Sequence, residues 1–232
     1  MKTAAIIPTA GSGSRMASAV SKQYLLLGGI PLIVHTLRAF QETSIIDDIF
    51  LILPAQDIEK AQQDIVEKYG LSKVRKILPG GRYRQDSVRS GLDALTPDYD
   101  IVVIHDGVRP FITQELIEMT TREAEIGPVT VGVPVKDTVK TIDPCQFVGE
   151  TLNRGQIWLT QTPQVFRVSL IKEAYRRAYE DNYYGTDDAA LVERMGVKVK
   201  MMLGSYDNIK ITTMIDLSWA ELMMTMRDGC TI

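Results

Sequence analysis

Short apolar runs recur along this chain, each ended by a breaker. Residues 4–7 stop at Pro8, residues 49–53 (IFLIL) stop at Pro54, and residues 101–104 (IVVI) run into His105-Asp106-Gly107. Apolar runs of this length without alternation read as strands buried on both faces, as in a parallel sheet. Between them the apolar residues recur at helical spacing: Leu32, Ile33, Thr36, Leu37 and Phe40 after Pro31, then Ile58, Ala61, Ile65 and Val66 within an amphipathic surface helix over 55–69. A third strand is expected at 74–78, ahead of Pro79-Gly80-Gly81. Strand, helix, strand, helix with short connections predicts an α/β fold of parallel strands joined by right-handed crossovers.

The second half continues with a helix over 113–125 and a strand over 129–135, and then the pattern changes. Residues 136–160 alternate apolar and polar around Asp143-Pro144, which predicts a two-stranded antiparallel excursion. An isolated hairpin is marginal in water, so this segment is a candidate dimerisation arm. It also carries Lys136, Asp137, Thr138, Lys140 and Arg154. Past Gln161-Thr162-Pro163-Gln164 the spacing predicts a helix over 168–180 and another, capped by Gly185-Thr186-Asp187-Asp188, running to Met195. Strands at 197–203 and 208–211 are expected to finish the sheet. A closing helix over 215–226 has the stripe Leu217, Leu222, Met223 and Met226, which reads as core packing. No repeat or low-complexity linker divides residues 1–232, so one domain with the 136–160 arm as a subdomain is expected.

Composition narrows the partners. A hydrophobic fraction of 45% is ordinary for a globular protein, and a net charge of −3 from 26 basic and 29 acidic residues provides no general polyanion-binding surface. Nucleic acid is not an expected partner. Neither is a membrane, because no apolar run approaches the ~20 residues of a span. Cys145 and Cys230 are isolated, and the histidines are His35 and His105, which disfavours zinc sites and disulfides and points to a reducing cytoplasm.

Candidate chemistry collects after the strands. Following residues 4–7 comes Thr9 to Ser14 with Gly11 and Gly13, which can turn backbone amides toward an anion, and then Arg15 and Lys22, a fork and a point charge suited to a triphosphate. It is neither a dinucleotide fingerprint, since Met16 stands at the third glycine position, nor a P-loop, which lacks its Gly-Lys-Ser/Thr ending here. In an open parallel sheet the loops after strands one and three converge on one crevice, where Gly81 would let backbone approach a base or ribose. Asp86 and Ser87 could bond that ligand or simply cap the following helix. Asp106 and Arg109 stand at the mouth of the same crevice. Asp106 could serve a phosphate-bound metal, accept from a substrate hydroxyl, or pair with Arg109. His105 reads as tautomer-locked packing, and Lys210, between Ile209 and Ile211, should reach the crevice or solvent.

Eight motifs occur in order: Ala10-Gly11-Ser12-Gly13-Ser14-Arg15-Met16, Ser21-Lys22-Gln23-Tyr24, Gly80-Gly81 with Arg84-Gln85-Asp86-Ser87-Val88, His105-Asp106-Gly107-Val108-Arg109-Pro110, Pro134-Val135-Lys136-Asp137-Thr138, Gln161-Thr162-Pro163-Gln164, Thr186-Asp187-Asp188 and Asn208-Ile209-Lys210. Across its whole length the chain thereby resembles the 2-C-methyl-D-erythritol 4-phosphate cytidylyltransferases of the non-mevalonate isoprenoid pathway. The resemblance implies a Rossmann-like nucleotidyltransferase fold, mostly parallel and flanked by helices, with a protruding β-hairpin arm. It also implies CTP and a magnesium ion as ligands, and a homodimer through the 136–160 arm. It puts Arg15, Lys22 and Lys210 in catalysis, with Arg15 and Lys22 on the triphosphate. Ala10, Gly11, Gly13, Gly81 and Ser87 would hold the cytidine, and Asp106, Arg109, Thr138, Arg154 and Thr162 would join Lys210 on the polyol phosphate. Thr138 and Arg154 would come from the partner chain. Metal ligands stay unassigned. Ser21 stands where the family usually has proline, and Arg82 where an acidic or small residue is frequent.

A phosphate monoester nucleophile has a second pKa near ~6 and needs no general base at neutral pH, which suits a site without one. Two alternatives stand beside this reading: a ribitol-5-phosphate cytidylyltransferase, which shares the chemistry, and a non-catalytic nucleotide-binding module.

Overall fold

A computed structural model describes residues 1–10 and 21–228 of the chain. Gly11, Gly13 and Arg15 lie outside the described residues. The first strand, β1 (Thr3–Pro8), is the apolar run expected at the start of the chain. A small antiparallel pair follows, β2 (Leu26–Leu27) with β3 (Ile30–Pro31), and leads into α1 (Leu32–Glu42). Next come β4 (Asp48–Leu53), α2 (Ile58–Ala61), β5 (Val74–Pro79), α3 (Arg84–Asp93), β6 (Ile101–Ile104), α4 (Gln114–Glu123) and β7 (Val129–Pro134). The arm is β8 (Lys140–Ile142) and β9 (Val148–Thr151), and the chain finishes with β10 (Trp158–Arg167), α5 (Val168–Glu180), α6 (Asp188–Glu193), β11 (Lys200–Leu203) and α7 (Met214–Asp228).

Seven strands make one sheet in the order β11-β7-β10-β6-β1-β4-β5. All pairs are parallel except the two made by β10, which runs antiparallel to both β6 and β7. The apolar runs split cleanly between the two faces, as the strand period of two requires. Ala5, Ile7, Ile49, Leu51, Leu53, Ile101 and Val103 pack with Leu37, Phe40 and Ile117 of α1 and α4. Ala4, Ile6, Phe50, Ile52, Val102 and Ile104 pack with Val88 and Leu92 of α3 and with Ile171, Ala174 and Leu191 of α5 and α6. Because helices cover both faces, the strands have no polar side to alternate.

Four expectations are corrected. The helix expected over 55–69 is a 3-10 turn at Ala55–Asp57, then α2, then a π-helical stretch at Gln62–Glu67. The wider winding buries the adjacent residues Ile65 and Val66 together, and its five-residue bonds appear as Lys68 N–H to Gln63 O and Leu71 N–H to Val66 O. The arm is shorter than 136–160: β8 and β9 span 140–151, while Trp158, Leu159 and Thr160 already belong to β10 in the main sheet. Residues 208–211 are not a strand. Ile211 is buried with Val108, Phe111 and α7, its N–H bonding Val108 O, so that cluster claims the segment before the sheet can. In α7, Leu217 and Met223 are buried as expected, whereas Leu222 is 43% and Met226 61% exposed.

Gly91 lets α3 sit directly on β1. A Cβ there would lie 2.8 Å from Ile6 Cγ2, in the middle of a fully buried strand. Gly91→Ala gains about 1 kcal/mol of helix propensity, but forcing Ile6 aside costs about 1–3 kcal/mol. The expected result is a lower midpoint in urea; an unchanged or higher one would mean that α3 lifts off β1 freely.

Candidate active site

Loops from the carboxyl ends of β1, β5 and β6 meet in one crevice, the place an open α/β sheet reserves for ligands. Thr9, Ala10, Lys22, Gly81, Ser87, Asp106 and Lys210 line it together, with Arg82, Tyr83 and Arg84 along the side formed by the start of α3. The glycine pair after β5 allows this closeness. A Cβ on Gly80 would collide with Ala10 Cβ, and one on Gly81 with Asp86 Cβ. Ser87 Oγ accepts from Gly81 N–H (3.2 Å) and donates to Tyr83 O (3.1 Å), so it pins the turn while lining the pocket. Asp86 is the helix cap, one of the alternatives left open for it. Its Oδ2 accepts from Tyr83 N–H (2.9 Å), and its Oδ1 accepts from Tyr179 and Tyr184.

Asp106 is the electrostatic centre. Its Oδ1 takes Arg84 Nε (3.2 Å), and its Oδ2 takes Lys210 Nζ (2.9 Å) and Arg109 Nε (3.4 Å). Burial would raise its pKa, but the charges of Arg84, Lys210 and Arg109 outweigh burial and hold it well below the usual carboxylate range. The ion-pair reading of Asp106 and Arg109 therefore holds, enlarged to three cations. Arg109 also donates from Nη1 to Asn208 O (2.7 Å), and Asn208 Nδ2 donates to Thr162 O (2.8 Å), which ties the C-terminal segment to the crevice.

The register of β10 against β7 breaks between Gln161 and Gln164, and the irregularity aims Thr162 at the end of β6. Thr162 Oγ1 accepts from Asp106 N–H (3.1 Å) and lies 3.1 Å from His105 Nδ1. His105 Nε2 is 3.3 Å from Arg109 O, which can only accept, so the proton sits on Nε2 and Nδ1 accepts from Thr162. Burial pushes the His105 pKa down to about 3, against the opposing pull of Asp106. Both ring nitrogens are occupied and the ring is fully buried, which makes it packing, as its sequence position suggested.

A second pocket adjoins the first, lined by Arg109, Gln161, Thr162, Thr186 and Asp187. Arg84, Asp106 and Lys210 line both. Of the residues expected to bind ligands, Ala10, Lys22, Gly81, Ser87, Asp106, Arg109, Thr162 and Lys210 are thus gathered into two adjoining pockets. Thr138 and Arg154 are not. Both are exposed at the base of the arm, just outside β8 and β9, and Arg154 Nη1 donates to Lys136 O (2.9 Å) of its own chain. From the sequence Arg84 has no role and Asp188 only a share in a helix cap, because nothing local shows that Arg84 reaches both Asp106 and Asp188 (2.8 Å). Among the described residues no cluster of three or more His, Cys, Asp or Glu could hold a metal, and both oxygens of Asp106 are taken by cations. The donor set does not fit a protein-held magnesium ion.

A histidine kept neutral by burial makes stability depend on pH. Its folded pKa, about 3, lies below the 6.5 of a free imidazole, so its contribution is complete above 6.5 and is lost as pH falls from 6.5 toward 3. Half-buried His35 is shifted the same way by desolvation. Urea midpoints should therefore decline between pH 6.5 and 4.5, ahead of most carboxylate titration. His105→Asn should remove a large part of that slope; an unaltered slope would mean that His105 charges freely in the folded protein.

Relatives match the chain along nearly its whole length. Residues 3–226 match the family model described as IspD, 2-C-methyl-D-erythritol 4-phosphate cytidylyltransferase. The enzyme of that name from Syntrophus aciditrophicus (strain SB) is 47% identical over 229 residues, covering 98% of each chain. That from Geobacter metallireducens is 45% identical over 225 residues, covering 95% of this chain and 97% of the other. Among solved structures, 4-diphosphocytidyl-2C-methyl-D-erythritol synthase from Anaerococcus prevotii DSM 20548 superposes with a TM-score of 0.84 at 36% identity, covering 97% of this chain and 96% of its own. Sequence, fold and full-length coverage agree: the chain belongs to the 2-C-methyl-D-erythritol 4-phosphate cytidylyltransferase family.

Proposed function

We propose that this protein transfers the cytidylyl group of CTP to 2-C-methyl-D-erythritol 4-phosphate, releasing CDP-methylerythritol and pyrophosphate. The observation that carries the reading is the pair of adjoining pockets with Arg84, Asp106 and Lys210 in their common wall. Transfer between two phosphorylated substrates needs two sites meeting at one phosphorus. Family membership favours methylerythritol phosphate over the ribitol phosphate acceptor, and a two-pocket site favours catalysis over simple nucleotide binding.

An oxygen of the acceptor phosphate attacks the α-phosphorus of CTP, and the bond from that phosphorus to the bridging oxygen breaks to free pyrophosphate. The acceptor is largely dianionic at neutral pH, so no protein base has to act, in keeping with a His105 that is sealed and neutral. What remains for the protein is to hold two anions in line and to stabilise the charge that builds on the transferring group. Lys22 and Lys210 line the nucleotide pocket for that task, and Asp106 holds Lys210 in place. Among the described residues no side chains form a metal cage, so no step here is assigned to magnesium. Exposed Cys145, a free thiol, suits a cytoplasmic setting.

The arm belongs to the same reading as the dimer contact. Ile142, Phe147 and Val148 are exposed on it, and a hairpin cannot bury both faces alone. A twofold partner would cover them reciprocally and receive Thr138 and Arg154.

The direct test is pyrophosphate release from CTP with a panel of polyol phosphates; methylerythritol phosphate should be the preferred acceptor, and a preference for ribitol phosphate would reject the assignment. Lys22→Ala should lower kcat by roughly 10²-fold, the scale for losing one preorganised donor, with a smaller effect on CTP binding. Activity within a factor of two of the unaltered protein would remove Lys22 from the chemistry. For the arm, mixing Arg154→Ala subunits with Lys22→Ala subunits should restore one working site per heterodimer, because both lesions then fall in the other site. Proven subunit exchange without restored activity would place Arg154 in its own chain's site.

A further inference from the structure

Arg84 occupies the first turn of α3 and lines both pockets, yet nothing above gives it a part in the reaction. Its Nε donates to Asp106 Oδ1 (3.2 Å) and its Nη2 to Asp188 Oδ2 (2.8 Å). Those two groups form one edge of the guanidinium, so that edge is spent on two carboxylates from different parts of the chain. Nη1, on the other edge, has no protein partner among the described residues. Asp188 is in turn held hard. It is 1% exposed, its Oδ1 accepts from Tyr175 O–H (2.5 Å), and its N–H donates to Gln164 Oε1 (3.0 Å).

A guanidinium that only neutralised Asp188 would need one carboxylate and no place in a pocket wall. Here two carboxylates from separate elements hold one edge of it, in a side chain only 29% exposed. Fixed orientation with a remaining pair of N–H donors is what a phosphate-binding arginine requires, because the donors need not reorganise when charge arrives. With Lys210 and Arg109 on the far side of Asp106, the cluster holds two carboxylates against three cations, a surplus of one positive charge where two anionic substrates meet.

We propose that Arg84 is a catalytic residue that donates from Nη1 to phosphate oxygens at the junction of the two pockets, and that Asp188 and Tyr175 are positioning residues that set its angle. This rests on the transfer reaction proposed above for where the phosphates lie. Arg84→Lys keeps the charge but cannot grip two carboxylates and a phosphate together.

The experiment measures turnover and, separately, calorimetric binding of two non-reacting probes: CMP, whose phosphate stands for the α-phosphate of CTP at the junction, and cytidine, which ends before it. Arg84→Lys should lower kcat by roughly tenfold or more and weaken CMP by about fivefold, with cytidine changed by less than about twofold. Tyr175→Phe, a milder change that preserves the packing, should give the same CMP-over-cytidine split at about two- to threefold, and it decides the matter if Arg84→Lys does not fold. Equal effects on CMP and cytidine, or none, would overturn the role of Arg84, as would failure of the unaltered protein to bind CMP. If the unaltered protein binds CMP in an Arg84-dependent way but turns over no polyol phosphate, the acceptor reading fails and Arg84 stands. Normal turnover with an indifferent Arg84→Lys variant fails Arg84 alone.

Discussion

An ionised carboxylate at the end of a fully buried strand is tolerable only with cations around it, and much of this crevice is built to meet that demand at Asp106. Its desolvation would cost several kcal/mol without partners. The partners come from three places: Arg84 from the start of α3, Arg109 from the turn after β6, and Lys210 from the segment before α7. Each tie fixes a piece of backbone that packing alone would leave adjustable. A requirement of charge burial thus becomes a device that presents positive groups to anionic substrates.

The same economy governs the polar residues behind the site. His105, Thr162, Asn208 and Gln164 are all buried, and they bond one another, nearby backbone or neighbouring side chains, with Asn208 Oδ1 alone of their polar atoms left without a partner among the described residues. Thr162 serves Asp106 N–H and His105 with one hydroxyl, which is possible only because β10 runs antiparallel between β6 and β7 and breaks register at that point. An unpaired member of such a set would carry its full desolvation cost, so the network resists partial change.

Away from the site the surface is less settled. The hairpin of β8 and β9 and the outer face of α7 both display large apolar side chains, Phe147 and Trp219 among them. In the twofold assembly proposed above the arm would have a reason for this, since a hairpin cannot bury both faces by itself. Nothing in the structure indicates what covers α7.

How much of this was legible in advance follows the range of the interactions. The strands of the parallel half, the helix over 168–180 and the grouping of Lys22, Gly81 and Asp106 could be read directly, because apolar period and breaker residues are local signals and strand ends in such a sheet share one side, whereas the pattern around Lys210 left it between crevice and solvent. Family membership was equally legible, carried by ordered motifs. Only the tertiary structure decided the rest. The sequence of β10, WLTQTPQVFR, does not advertise a central strand, because its polar residues are bonded to groups far along the chain. Residues 208–211 look like a strand but are drawn into the cluster around α7 and tied to Arg109 and Thr162. The clamp on Arg84 joins α3, β6 and α6, and no local pattern encodes which carboxylates a folded chain will bring to one guanidinium. Periodicity reports which face of an element is buried; which side chains meet there is set by packing of the whole sheet and its helices.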